Sequence, residues 1–359
     1  MNYRETLFFI GKCLTVNKEK HNLKIVKNKL ENDTINWDSI VEISTSHYVF
    51  PALYCNLKKA NLLSFVPTEL VGYMQHITQL NLERNLGIIK QAKELNELLL
   101  ENNITPIFLK GVGYLFQDFY DDIAERMIAD IDFIISKEDY LKAILLTKNF
   151  GYSKVEKNKH HSPSFKHYPR LQKKDCYAAV EIHKEVLIEK FAGEFNFDVI
   201  QENCIKTNGI TVLNYDNQLT LSILSSQIND DGFYIKNLTL KHAYDTYILS
   251  KKTNAIKAFE KFDKLKYPLN CFLASSYQVF NNIDSLSHDT SINTDKYLND
   301  FNMYLVDDKK RNRDYKRIKN KLYLIRKKDF ILKIIFYKEY RNWFINDFLI
   351  KLKLKKLAS

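Results

Sequence analysis

Apolar residues recur at helical spacing through the first hundred positions. The pattern is plainest at Leu80, Leu82, Leu86, Ile88, Ile89, Ala92, Leu95 and Leu98 to Leu100, with Asn, Glu, Lys and Gln between them. It predicts a helical N-terminal region over 1–104. Asn102-Asn103 closes the last helix, and Ile107-Phe108-Leu109, ended by Lys110-Gly111, reads as a buried first strand. A helix is expected over about 112–122. Asp130 to Ile135 has the alternation of a strand. Ser136 and Asp139 then have the spacing of a helix cap, a helix follows over 137–149, and Gly151 stands where a left-handed C-terminal residue belongs. Tyr152 to Glu156 and Tyr177 to Val186 read as further strands, and the polar, basic stretch His160 to Lys174 between them as a loop or irregular hairpin arm. Helical periodicity returns from about 216 to 280, and the polar stretch Asn281 to Asp300 reads as a surface connection. The predicted fold is α+β. A small mixed β-sheet core over 105–215 is flanked by the N-terminal helices, a helical region over 216–300 and a basic amphipathic helical tail over 301–359.

Composition narrows the class. With 45% hydrophobic and 27% charged residues, 359 residues can bury a sizeable core, and nine Gly and six Pro favour long helices over a turn-rich sandwich. Five scattered cysteines, odd in number, argue against a disulfide framework or structural zinc. No signal peptide and no apolar run of about 18 residues is visible, so a cytoplasmic protein with no transmembrane segment is expected. The net charge of +11 suggests a polyanion partner until it is located. From Lys309 onward, 18 Lys or Arg face 4 acids, a local +14 that leaves −3 for residues 1–308. Basicity belongs to the tail and not to the body.

Candidate chemistry lies in that mildly acidic body. Asp130 and Asp132, two apart in an otherwise apolar strand, share one face, and so do Ala179, Glu181 and His183 in a later strand. Buried carboxylates need compensation, and Mg²⁺ commonly supplies it, completing its shell with water and substrate phosphates. Three carboxylates near a glycine turn suit two-metal phosphoryl transfer, with bridging carboxylates setting a metal separation of about 3.5–4 Å. Glycine lets backbone approach phosphate, and Lys110 or Arg126 can neutralise charge developing on a leaving group.

The segment Ile107 to Gly113, then Arg126, Asp130-Ile-Asp132, Gly151-Tyr152, His160-His161 and Val180-Glu-Ile-His183 resembles the DNA-polymerase-β-type nucleotidyltransferases, in their bacterial uncharacterised branch. Ser46-His-Tyr-Val-Phe-Pro51, within Trp37 to Leu53, resembles the branch's helical lead-in. Leu240-Lys-His-Ala-Tyr-Asp245 resembles its helical follow-on, so the resemblance covers roughly residues 35–250. It implies that Asp130, Asp132 and Glu181 ligate two Mg²⁺ ions, with Mn²⁺ an alternative, and that Glu181 doubles as candidate general base. It also implies that Lys110 and Gly111 lie under the triphosphate of an NTP co-substrate and that Arg126 contacts phosphate or braces the site. The superfamily's usual turn is Gly-Gly or Gly-Ser about ten residues before the Asp pair. Here Val112 follows Gly111, which precedes Asp130 by 19 positions.

The implied reaction moves an NMP from an NTP to an acceptor hydroxyl of unknown identity, with pyrophosphate released. Two alternatives stand beside it: a metal-dependent glycosyltransferase using a nucleotide sugar, which does not need Glu181, and a non-catalytic binding module of the same fold. His183 suits substrate contact or carboxylate orientation equally with a structural role. His160, His161 and His167 read as a solvated loop on the substrate side, and Asp245 as a brace between its helix and the sheet. The tail alternates residues such as Phe330, Ile331, Ile335 and Phe348 with Lys and Arg. It fits an anionic membrane surface, another polyanion, or a helix whose apolar face docks on the body with its lysines in water.

Overall fold

Strand alternation sorts the sheet residues into two sets with different chemistry, and the fold follows from where each set is placed. The computed structural model describes residues 1–155 and 162–358, with side chains described through residue 350. Its sheet has seven strands: β1 (Ile107–Phe108), β2 (Asp130–Ile134), β3 (Ser153–Lys154), β4 (Leu171–Gln172), β5 (Ala179–His183), β6 (Cys204–Thr207) and β7 (Ile210–Leu213), in the order β3-β4-β5-β2-β1-β7-β6. At the centre, β2 runs parallel to β5 and antiparallel to β1, which is parallel to β7. The outer pairs are antiparallel. The class is α+β, as the pattern predicts.

One sheet face is wholly apolar. Phe108, Ile131, Phe133, Val180, Ile182 and Val212 are fully buried, packed under the helices Thr68–Leu100 and Tyr140–Asn149. On the opposite face, Ile107, Leu109, Ile134 and Leu213 join a second core made largely of helices from both ends of the chain. Asp130, Asp132, Glu181 and His183 share that second face. The sheet thus has one sealed face and one face whose carboxylate end is left for chemistry.

The stripe that Thr68–Leu100 buries differs from its apolar pattern. Leu80, Leu86 and Leu100 are exposed, while Asn81, Asn85, Ile88, Ala92, Leu95 and Leu99 form the buried row at helical spacing. The polar members are used. Asn81 Nδ2 donates to the carbonyls of Ala124 and Arg126, and Asn85 Nδ2 to those of Ile123 and Arg126. Arg84 reaches the Ile128, Ala129 and Tyr177 carbonyls, while Gln91 bonds both backbone groups of Ala178. One helix therefore fixes the backbone just before β2 and just before β5, which sets the positions of Asp130 and Glu181.

Three expectations are corrected. The helix expected over 112–122 spans only Lys110–Leu115. A left-handed Asp118 and an Asp122 side chain accepting from Ala124 N turn the chain into a 3₁₀ turn, Ile123–Glu125. Ser136 and Asp139 do bond each other, but they close a turn, and the helix starts at Tyr140. The connection read over 281–300 contains the start of the helix Ile292–Val306, capped by Ser291. The β6–β7 hairpin lies in a region left unread. Its turn is Asn208-Gly209, both at positive φ, a favoured two-residue hairpin turn.

Candidate active site

The β2–β5 register places Asp132 directly opposite Glu181 and brings His183 beside both. Asp132, nearly buried, accepts from Lys110 Nζ at 2.7 Å and lies 2.8 Å from His183 Nε2. Glu181 Oε2 is 3.6 Å from both His183 Nε2 and His167 Nε2, and Oε1 is 3.5 Å from Arg170 Nε. Asp130, at the strand's open end, pairs with the Arg170 guanidinium. The protein thus compensates all three carboxylates with its own cations and imidazoles.

Ligand atoms of Asp132, Glu181 and His183 lie within 4.8 Å of one another, close enough to share one metal ion. His183 Nδ1 faces the Glu185 carbonyl at 3.2 Å, the outer contact that orients a metal-binding imidazole with Nε2 toward the metal. The residues therefore fit a divalent cation. Asp130 belongs to the same face but not to this cluster, because Arg170 holds it.

Lys110 has positive φ, 50°, at the turn from β1 into the helix that follows. A non-glycine residue there costs about 1–2 kcal/mol, and its ion pair with Asp132 is the compensating contact. Gly111 packs closely, since a Cβ there would stand 3.0 Å from Ile128 Cγ1 and that side chain would have to shift.

Lys110, Gly111, Asp130 and Asp132 form one wall of a cleft whose open space is ≈ 730 Å³, and Lys166, Ser222, Asp230, Lys241 and His242 line it too. Arg126 also lines it, but its guanidinium is bidentate to buried Asp245 at 2.8 Å and 2.8 Å and donates to the Met127 carbonyl. Arg126 and Asp245 tie the helix Leu240–Ser250 to the strand β2 approach. That helix starts on a neutral imidazole: Leu240 N donates to His47 Nδ1, and burial pushes His47 down to about 4. The Ser46 to Pro51 motif thus acts at a distance, by seating Lys241 and His242 in the cleft.

Electrostatics divide the cleft. Burial pushes Asp132 upward, but Lys110 and His183 outweigh it and hold the carboxyl well below the ordinary range. Glu181 is likewise lowered, burial being overcome mainly by His183. Burial followed by the His183 charge lowers His167 to about 4. On the other wall, burial and neighbouring cations lower Lys166 and Lys241 to about 8. Asp230 is raised by burial. Lys241 stacks over Tyr48, and buried Ser222 Oγ and His242 Nδ1 have no hydrogen-bond partner among the described residues. This second wall is cationic and incompletely satisfied.

Several of these residues escape sequence reasoning. Lys166, His167 and Arg170 belong to the stretch read as a loop or irregular hairpin arm, and His167 there forms a β-bridge with His183 with its side chain largely buried. Rings alternating at Phe165 and His167, followed by Tyr168, were the available signal. His160 and His161 lie outside the described residues. No helix among the described residues is long and apolar enough to cross a membrane.

No curated protein and no solved structure matches the chain. A family model does match, over residues 33–278, a span that holds the whole cleft from Tyr48 to Asp245. By that match the chain belongs to the family described as uncharacterised nucleotidyltransferase.

Proposed function

We propose that the protein is a divalent-cation-dependent nucleotidyltransferase that moves an NMP from an NTP to an acceptor hydroxyl. The observation that carries this reading is the grouping of Asp132, Glu181 and His183 as one ligand set beside a cleft that Asp132 lines together with Lys110, Lys166 and Lys241. Asp132, Glu181 and His183 hold the cation, and Asp130 joins them when the half-exposed Arg170 side chain releases it. An imidazole among carboxylate donors suits Mn²⁺ as well as Mg²⁺. A bound cation would polarise the α-phosphate and neutralise charge on the leaving pyrophosphate.

The chain's own groups do the rest. Lys110, Lys166 and Lys241 receive the polyphosphate, with Ser222 Oγ and His242 as further polar contacts, while Gly111 permits close backbone approach. Glu181, ionised at neutral pH, accepts the proton of the acceptor hydroxyl. The acceptor's oxygen bonds to the α-phosphorus, the bond from α-phosphorus to the bridging oxygen breaks, and pyrophosphate leaves. Arg126 and Asp245 keep the two walls at fixed separation.

Calorimetry tests the binding half of this reading. The wild type should bind Mn²⁺, then NTP only with the cation present, and Asp132→Asn should lose both. NTP binding that is indifferent to the cation and to Asp132→Asn overturns the proposal.

A further inference from the structure

The helix Asp308–Phe336 docks the wrong way round for an ordinary surface helix. Such helices turn apolar residues to the body and charge to water. Here no residue of the helix is buried, and the docking contacts are charged. Lys319 and Arg326 bond buried Asp231, while Lys333 and Tyr340 bond Glu189. Ile318, Leu322, Phe330 and Ile334 are half-buried, but most of the helix's large apolar residues are exposed. Leu324, Ile331 and Ile335 make one exposed row at helical spacing, and Ile325, Leu332 and Phe336 make the row beside it. The following helix, Lys338–Ala358, also exposes Phe344, Ile345, Phe348 and Leu349.

An exposed apolar patch of this extent calls for a partner, and charge selects which. Exposed Lys316, Arg317, Lys321, Lys327, Lys328 and Lys338 flank it, within a segment carrying 18 Lys or Arg and 4 acids. A second copy would bring +14 against +14. Nucleic acid answers the charge, but it offers nothing to two rows of aliphatic side chains, since its contacts are made by cations, polar groups and aromatic stacking. A bilayer with anionic headgroups satisfies both. Lysines meet phosphates, while the aliphatic rows enter the boundary between headgroup and acyl chain.

We propose that the helical hairpin 308–358 binds the surface of an anionic membrane through this outward face, holding the catalytic body at the bilayer without spanning it. The test is flotation of the full chain with phosphatidylcholine vesicles, with and without phosphatidylglycerol. Flotation is expected only with the anionic vesicles and should decline with salt. The triple variant Leu324→Glu/Ile331→Glu/Ile335→Glu changes only exposed side chains and should weaken binding by at least about tenfold. Leu141→Glu/Leu145→Glu, equally exposed on another helix, should bind as the wild type does. Three results overturn the proposal: no flotation with anionic vesicles; flotation unaffected by the triple variant; or failure to float alongside single-stranded RNA binding or self-association that the triple variant abolishes.

Discussion

At Lys166 and Lys241 the physics of single residues is most exposed. Each ammonium is drawn out of water beside other cations, and each is lowered to about 8, so each holds its proton less firmly than an ordinary lysine. An anion entering the cleft stabilises the protonated form, so affinity is highest below pH 8 and declines as pH rises through it. Tripolyphosphate binding, followed by calorimetry across that range, should weaken with rising pH, and Lys166→Met or Lys241→Met should reduce it and flatten the profile. The Asp pair itself was readable because two carboxylates on one strand face are chemically conspicuous. Arg170 was not, because only tertiary structure brings it over Asp130.

At the scale of elements, the catalytic strands depend on polar residues that hydrophobic periodicity passes over. Asn85 is fully buried and satisfies two carbonyls on the approach to β2. Asn85→Ala should destabilise the fold by about 1–3 kcal/mol, seen as a lower midpoint in denaturant unfolding. His47 gives a pH signature. It is neutral in the fold, with a pKa lowered to about 4 by burial, so the unfolded chain binds the extra proton as pH falls below about 6.5. Stability is therefore lost progressively between about pH 6.5 and 4. His167 and His242, also lowered by burial, add to the same trend. His47→Gln should show a shallower decline in thermal midpoint over that window.

The same scale shows why parts of the fold were legible and others were not. β2 and β5 were readable from alternation, and β1 from a short apolar run before Lys110-Gly111. The hairpin β6–β7 was legible in principle, since Asn208-Gly209 followed by Ile-Thr-Val-Leu is a strong local signal. The helix after β1 was misjudged in length because Asp118 and Asp122 end it through backbone and side-chain geometry, and apolar spacing does not encode either. Leu80, Leu86 and Leu100 look like core in the sequence. The buried row shifts to Asn81 and Asn85 because the strand approaches present carbonyls there.

Across the whole molecule, the tail meets the cleft through adjacent residues. Asp230 lines the cleft, and Asp231 anchors the tail helix through Lys319 and Arg326. Burial would raise the Asp231 carboxyl, but Arg326 and Lys319 outweigh it and hold it below the ordinary range. Lys319→Ala/Arg326→Ala should speed hydrogen exchange over 308–336 while leaving Mn²⁺ affinity unchanged, because the cation ligands are all on the sheet. The tail's contacts with the body are charged at Lys319 and Arg326, beside half-buried Ile318, Leu322, Phe330 and Ile334. Nucleotidyl transfer itself is measured by following the α-phosphate. Protein, Mg²⁺ or Mn²⁺ and α-labelled NTPs are incubated with cell-lysate fractions, while transferred label and released pyrophosphate are followed together. The proposed reaction requires that some fraction take up α-label with matching pyrophosphate release, only with the divalent cation present, and that Asp130→Ala/Asp132→Ala abolish both. Transfer that survives the double substitution, or label that moves from the γ-phosphate instead, would contradict it.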